Sequence, residues 1–219
     1  MSPLHCPLCF SSTVGFFHRD HLREYWRCDR CALVFVPEQF YLSAAAEKAQ
    51  YDLHENIEGD PGYEAFLNRL AEPLLSRLEG SRSLLDFGCG PAPVLANVLR
   101  RHGHSVKLYD YFYHRDESIW SHFYDAITAT EVFEHLHNPG QELKRLWQHI
   151  SEGGYLAVMT KRVIDLAAFS RWHYKNDPTH VCFFSTDTFC WWAAQQHAHI
   201  EFVGADVVLL KKVNSIGAK

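Results

Sequence analysis

The sequence predicts an α/β fold: an open, mostly parallel sheet closed by an antiparallel hairpin, with a small metal-folded unit in front. Three observations carry this. Two Cys-x-x-Cys pairs, Cys6/Cys9 and Cys28/Cys31, stand near the start of the chain. From Leu84 onward, short apolar strands alternate with stretches of helical periodicity, the order that builds a parallel sheet. Residues 200–203 and 207–210 are apolar runs joined by Gly204-Ala205, the mark of a closing hairpin.

The front unit comes first. Eighteen residues separate the two cysteine pairs, and four thiolates so spaced close a tetrahedron around one Zn²⁺. Residues 14–17, 25–27 and 33–36 read as small strands between and after the pairs. Residues 1–36 are therefore expected to form a zinc ribbon, so small that metal ligation supplies much of its folding energy. Arg19, Arg23, Arg27 and Arg30 are offset by Asp20, Glu24 and Asp29, which argues against a phosphate-binding face. Residues 37–80 read as a helical linker or lid. One helix runs from Ser43 to about His54, with Tyr51 and His54 as candidates to face a pocket. A second starts at Asp60-Pro61, carries Phe66, Leu67, Leu70, Leu74 and Leu78, and meets Pro73.

Residues 81–219 make the main domain. Leu84-Leu85-Asp86-Phe87 is a buried strand that stops at Gly88-Cys89-Gly90, where missing Cβ atoms let backbone approach a ligand. Pro91 suits a first helical turn, Val94, Leu95, Val98 and Leu99 repeat at helical spacing, and Gly103 ends the run. A strand over 105–109 then delivers Asp110 beside the glycine turn, where a carboxylate accepts from ribose hydroxyls. A dinucleotide cradle wants a third glycine; Pro91-Ala92-Pro93 offers none, which weakens a nicotinamide-dependent oxidoreductase. The acid-x-Gly-x-Gly form led by Asp86 instead resembles motif I of the class I S-adenosylmethionine (SAM) methyltransferases. That resemblance covers roughly residues 60–212 and implies a Rossmann-like, seven-stranded sheet. It implies a cofactor site at Asp86, Gly88, Cys89, Gly90, Asp110, Tyr111 and Glu131, with Asp110 on the ribose. Ala92 stands where the family often has glycine. The stretch from Tyr111 to Tyr124 is short for the family's usual helix and strand, so the adenine contact stays open, with Tyr111 and Phe112 available to pack on the ring.

A third strand over 125–130 leads into Glu131-Val132-Phe133-Glu134-His135 at a strand end, where α/β sheets bind ligands. Asn138-Pro139 opens a helix with Leu143, Leu146, Trp147 and Ile150 on one face. Gly153-Gly154 turns into another strand over 155–160, and a helix with Phe189, Trp192 and Ala193 follows Ser185. His180 lies in the loop between them. The E-x-x-E-H run with a downstream histidine resembles the small-RNA 3′-terminal 2′-O-methyltransferases, and its first part the ubiquinone-pathway O-methyltransferases. The resemblance implies Glu131, Glu134, His135 and His180 as a divalent-metal site, Mg²⁺ included, that activates an acceptor hydroxyl. E-x-x-E-H also occurs in metal-free relatives. There Glu131 positions the cofactor, His135 caps a helix and His180 is a lone general base. Catalytic candidates are thus His180, Glu134 and His135. Trp172 and Tyr174 read as core or wall. The Trp172-to-Ser185 run also resembles a set of bacterial zinc-ribbon methyltransferases.

At 219 residues the chain suits one α/β domain plus an appendage. A net charge of −5 disfavours non-specific nucleic-acid binding. Beyond the zinc set, Cys89, Cys182 and Cys190 leave an odd total of seven cysteines, which suits a reducing cytoplasm. They read as packing residues, with a redox role at Cys89 the alternative. No leader segment or membrane-crossing run is expected. The whole reads as a cytoplasmic SAM-dependent methyltransferase with oxygen the favoured acceptor atom. The acceptor itself is left open among a small molecule, a sugar, a nucleotide or structured RNA. The competing reading is a zinc-ribbon RNA-binding module with a vestigial methyltransferase fold.

Overall fold

The computed structural model describes residues 4–53 and 59–213. His54 lies outside the described residues. The front unit is a three-stranded meander of β1 (Val14–Arg19), β2 (Glu24–Cys28) and β3 (Val34–Phe35). Helix α1 (Ala44–Tyr51) follows, capped by the Ser43 hydroxyl accepting from the Ala46 N–H. Helix α2 (Pro61–Leu75) starts where Asp60 accepts from the N–H groups of Gly62 and Tyr63, with Pro61 in the first turn. Pro73 falls in its last turn, where it leaves one intrahelical hydrogen bond unmade.

The main domain then alternates β4 (Ser83–Phe87), α3 (Val94–Arg101), β5 (Ser105–Tyr109), β6 (Tyr124–Thr130), α4 (Pro139–Gln148) and β7 (Ile150–Met159). After β7 come α5 (Leu166–Ser170), β8 (Cys182–Phe183), α6 (Thr186–Gln195), β9 (His199–Val203) and β10 (Val207–Lys211). Strand order is β5-β4-β6-β7-β10-β9. β4, β5, β6 and β7 pair in parallel, while β10 runs antiparallel to both neighbours as the expected hairpin. Six strands stand in this sheet among the described residues, one fewer than the seven the resemblance implied. The cause is chain length. Between β5 and β6 there is room only for a tight turn closed by Asp110 and His114 and a 3₁₀ turn, Glu117–Ser121. β5 is left as the edge.

Each sheet face buries its own core. Leu84, Val106, Ala126 and Ala157 pack under α2 and α3, while Leu85, Ile127, Leu156 and Val158 pack under α4 and α6. This alternation is the pleat of β-strands covered on both sides. The second core continues into the front unit through Cys6, Tyr25, Cys28 and Leu33. β3 also pairs with β8, Val34 opposite Phe183 and Phe35 opposite Cys182, so a main-domain strand completes the front sheet. The boundary read at residue 36 is thus crossed by backbone pairing. No helix among the described residues is long and apolar enough to cross a membrane.

Candidate active site

The glycine turn is built by backbone. Gly88 and Gly90 have φ of +73° and +64°, in the left-handed region. The N–H groups of Gly88 and Cys89 donate to the Tyr109 carbonyl at 2.7 and 3.2 Å, folding the turn over the end of β5. Asp110 locks it: Oδ2 accepts from the Gly90 N–H at 3.0 Å, and Oδ1 accepts from the Phe112 and Tyr113 N–H groups at 2.8 and 3.1 Å. A Cβ on Gly88 would stand 2.3 Å from Val132 Cγ2, whereas nothing lies within 4 Å of one on Gly90. Backbone there faces open space.

That space is a cavity of about 980 Å³, ample for a nucleoside cofactor and an acceptor together. Gly88, Gly90, Asp110, Tyr111, Glu131, His135 and His180 all line it, as do Leu42, Ala44, Glu47 and Tyr51 from α1 and its approach. Asp86 and Cys89 do not. Asp86 is buried beneath the turn, accepts from the Thr128 hydroxyl at 2.8 Å and the Ala96 N–H, and is pushed up to about 6 by burial. Its work is to tie β4, β6 and α3 together under the ligand space. Burial pushes the Cys89 thiol well up, which suits a packing residue rather than a redox thiol. Tyr51 and Phe112 approach one another at 5.6 Å in the cavity wall, with Tyr111 edge-on to Phe112 at 4.9 Å.

β6 ends at Thr130, and Glu131 then turns through φ of +52°, a costly conformation for a non-glycine residue. It sends the chain off the sheet into the 3₁₀ turn Phe133–His135. Glu134 is fully buried. Its Oε2 accepts from the Thr160 hydroxyl at 2.9 Å and its Oε1 from the Tyr174 hydroxyl. The same Tyr174 hydroxyl lies 3.2 Å from Glu131 Oε2, and Glu131 Oε1 is buried with no partner. One phenolic hydrogen cannot satisfy two carboxylates. Burial pushes Glu131 up to about 8 and Glu134 up to about 7. Tyr174 is thus a central hydrogen-bonding group that the sequence reading assigned to core or wall. Only its place in the His180 loop signalled otherwise.

Both imidazoles are oriented by carbonyls. His180 Nδ1 donates to the Tyr174 carbonyl at 2.7 Å, and His135 Nδ1 faces the Thr179 carbonyl at 3.3 Å. Burial keeps His180 neutral, lowering it to about 3. Its Nε2 lies 3.8 Å from Asp177 Oδ2. Ligand atoms of Glu134, His135 and His180 all lie within 4.8 Å of one another. Glu131, the fourth candidate ligand, is outside that set. The second cluster is Cys6, Cys9, Cys28 and Cys31, equally close, with sulfurs 3.4 Å apart in the pairs Cys6/Cys31 and Cys9/Cys28.

Compared with known proteins, residues 60–198 match a family model described as a methyltransferase domain. The chain belongs to this methyltransferase family. Solved structures share its fold at low identity. One is a 1,6-didemethyltoxoflavin-N1-methyltransferase from Burkholderia thailandensis with bound 1,6-didemethyltoxoflavin and S-adenosylhomocysteine (TM-score 0.54, 14% identity, 91% of this chain and 100% of that one). Another is a SAM-dependent methyltransferase from Archaeoglobus fulgidus (TM-score 0.52, 16% identity, 68% and 94%). A weaker likeness is to an O-methyltransferase family protein from Burkholderia thailandensis (TM-score 0.49, 16% identity); this chain spans 64% of its length, and 78% of this chain is covered. No curated protein matches the chain. The front unit of this methyltransferase lies outside the stretch matched by the family model.

Proposed function

We propose that this methyltransferase moves the methyl group of SAM onto an oxygen of a small hydroxylated acceptor held beside His180. The single observation behind this reading is that one cavity is lined both by the Gly90–Asp110 turn and by Glu131, His135 and His180. The cofactor fits the first part. Backbone at Gly90 has open space above it, and Asp110 Oδ2 retains a lone pair for a ribose hydroxyl beyond the three N–H groups the carboxylate accepts. SAM supplies an already activated methyl, so the chain's task is alignment and exclusion of water. Leu42, Ala44 and Tyr51 line the cavity from α1 and its approach, and serve that exclusion.

A divalent cation fits Glu134, His135 and His180. Carbonyls face Nδ1 of both histidines, the arrangement by which ligating imidazoles are oriented through their other nitrogen. Two imidazoles and one carboxylate suit a first-row transition metal better than Mg²⁺, which prefers oxygen and retains water. Such a cation supplies Lewis acidity toward an acceptor hydroxyl. The chain then orients that hydroxyl, with Glu131 in the same cavity wall as a hydrogen-bonding partner. Without a cation, the unprotonated His180 Nε2 beside Asp177 orients the acceptor hydroxyl as a hydrogen-bond acceptor.

Zinc fits the four cysteines. A tetrahedral site with Zn–S bonds of about 2.3 Å has sulfurs about 3.8 Å apart. The Cys31 thiol pulls Cys6 down to about 6 while burial pushes Cys9 up to about 12, so these two thiols do not ionise together without a metal. An RNA-binding role for the ribbon has less support. Arg23 is buried, Arg19 is paired with Glu24, and Arg30 lies over Trp191.

Thermal unfolding tests the reading. Saturating SAM or S-adenosylhomocysteine should stabilise the protein by about 2–4 kcal/mol at 100–1,000 times Kd, NAD should not, and Asp110→Ala should remove the shift. Labelled methyl from SAM should enter the small-molecule fraction of a cell extract, with loss of transfer on chelation and in His180→Ala. Label in RNA would overturn the small-acceptor assignment. No shift with either SAM compound would overturn the whole.

A further inference from the structure

Arg23 lies in the turn between β1 and β2 and is only 6% exposed. Its guanidinium does not meet a carboxylate. Nη1 donates to the Pro178 carbonyl at 3.1 Å, and Nη2 to the Lys175 and Asp177 carbonyls at 2.5 and 2.7 Å. Nε donates to the Tyr25 hydroxyl at 3.0 Å. Three carbonyls of one short loop thus converge on one cation. Unaided they would repel each other; the planar fork of arginine, with five fixed N–H donors, joins them.

The residues on either side of this triplet hold the histidines. Tyr174, just before Lys175, turns its carbonyl to His180 Nδ1, and Thr179, just after Pro178, turns its carbonyl to His135 Nδ1. Asp177, between the clamped carbonyls, fixes the turn by accepting from the Thr179 N–H and hydroxyl at 2.8 and 2.6 Å. Arg23 is itself braced. Asp20 Oδ1 accepts from its backbone N–H at 3.0 Å, while Oδ2 accepts from the Tyr25 hydroxyl at 2.8 Å and binds the buried Lys175 ammonium at 3.1 Å.

We propose that Arg23 is a positioning residue through which the ribbon sets the orientation of His180 and His135. The ribbon is then a built-in brace for the site rather than a separate binding module. This rests on the reading of the two histidines as site residues, but the clamp is measurable without knowing the acceptor.

The test uses the full-length, zinc-loaded protein. His180 Nδ1–H, sheltered by its bond to the Tyr174 carbonyl, should give a slowly exchanging imidazole N–H signal in proton NMR, assigned by its loss in H180Q. In Arg23→Ala that signal should vanish and amide exchange over residues 174–181 should quicken tenfold or more. Amides of β4, β6 and β7 and the thermal shift with S-adenosylhomocysteine should stay as in the parent. Added guanidinium ion should restore signal and protection, and Arg23→Lys should lie between, since an ammonium lacks the planar fork. An unchanged imidazole signal and unchanged loop exchange in Arg23→Ala would overturn the proposal. So would a folded Arg23→Ala protein that guanidinium fails to restore. Should the alanine variant not fold, Arg23→Lys decides: wild-type loop exchange there overturns the clamp. Undiminished methyl transfer in His180→Ala would instead refute the reading of the site and leave the clamp standing.

Discussion

Gly88 and Gly90 both need the left-handed region, yet they serve different ends, and substitution separates them. At Gly88 a methyl group meets the Val132 side chain at 2.3 Å as well as an unfavourable φ. Gly88→Ala should therefore cost about 2–4 kcal/mol of folding stability, conformational strain plus overpacking. At Gly90 the φ cost remains, but the methyl points into open cavity. Gly90→Ala should cost only about 1–2 kcal/mol in the absence of ligand. Its larger effect should be on the cofactor, with S-adenosylhomocysteine affinity lowered tenfold or more, because the added carbon occupies the space a ligand approaches. Urea unfolding and calorimetric titration of the two variants check this. Equal affinity loss at equal stability cost would show that the open space at Gly90 has no bearing on binding. Asp86, the most prominent acid of the motif in sequence, acts beneath this turn and not in the cavity wall, a distinction of depth that one-dimensional spacing does not encode.

Between elements, two contacts of ordinary appearance set the geometry. The N-terminus of α4 abuts the first cysteine knuckle: the Gly140 N–H donates to the Pro7 carbonyl at 3.1 Å, and a Cβ there would lie 2.3 Å from the Leu8 carbonyl oxygen. Gly140→Ala should push the knuckle off the helix, costing about 1–3 kcal/mol and, in zinc-loaded protein, speeding metal loss to a chelator. Unaltered zinc release would show that the knuckle yields freely. The second contact joins the α3–β5 turn to the entry of β4, where buried His104 accepts from the Arg82 N–H through Nδ1 at 3.2 Å. Burial, then His102 and Arg82, lower its pKa. A histidine held neutral in the fold takes up its proton on unfolding, so this contribution is whole above about pH 6.5 and is lost as pH falls below it. His104→Gln keeps an acceptor but not the titration. Its stability should therefore fall less than that of the parent between pH 7.5 and 5.5, as chemical denaturation at both values would reveal. Gly140 and His104 belong to ordinary helix-start and turn segments in sequence. Their partners are 133 and 22 residues away, and nothing local marks them.

For the molecule as a whole, what was legible in sequence was whatever repeats or caps locally. Asp60-Pro61 and Ser185 start helices, Gly88 and Gly90 make the turn, β9 and β10 form the hairpin, and the cysteine pairs come together. The missing seventh strand was foreshadowed by the short stretch after Asp110, although the family resemblance outvoted it. Pairing across 147 and 149 residues between β3 and β8 was not legible, because two-residue strands have no period to read. That pairing has a consequence for cooperativity. The ribbon shares its sheet with β8 and its core with α4 and α6, so it has no boundary at which to unfold alone. In zinc-loaded protein, metal release and loss of the central sheet should then occur in one transition. On heating, a colorimetric zinc indicator, tryptophan fluorescence and far-ultraviolet circular dichroism should share a midpoint, and stripping the metal should lower all three together. Zinc appearing well before the circular dichroism changes would mean that the ribbon detaches from an intact sheet. In that case neither the shared core nor the Arg23 contacts would be strong enough to couple the cysteine site to the histidines.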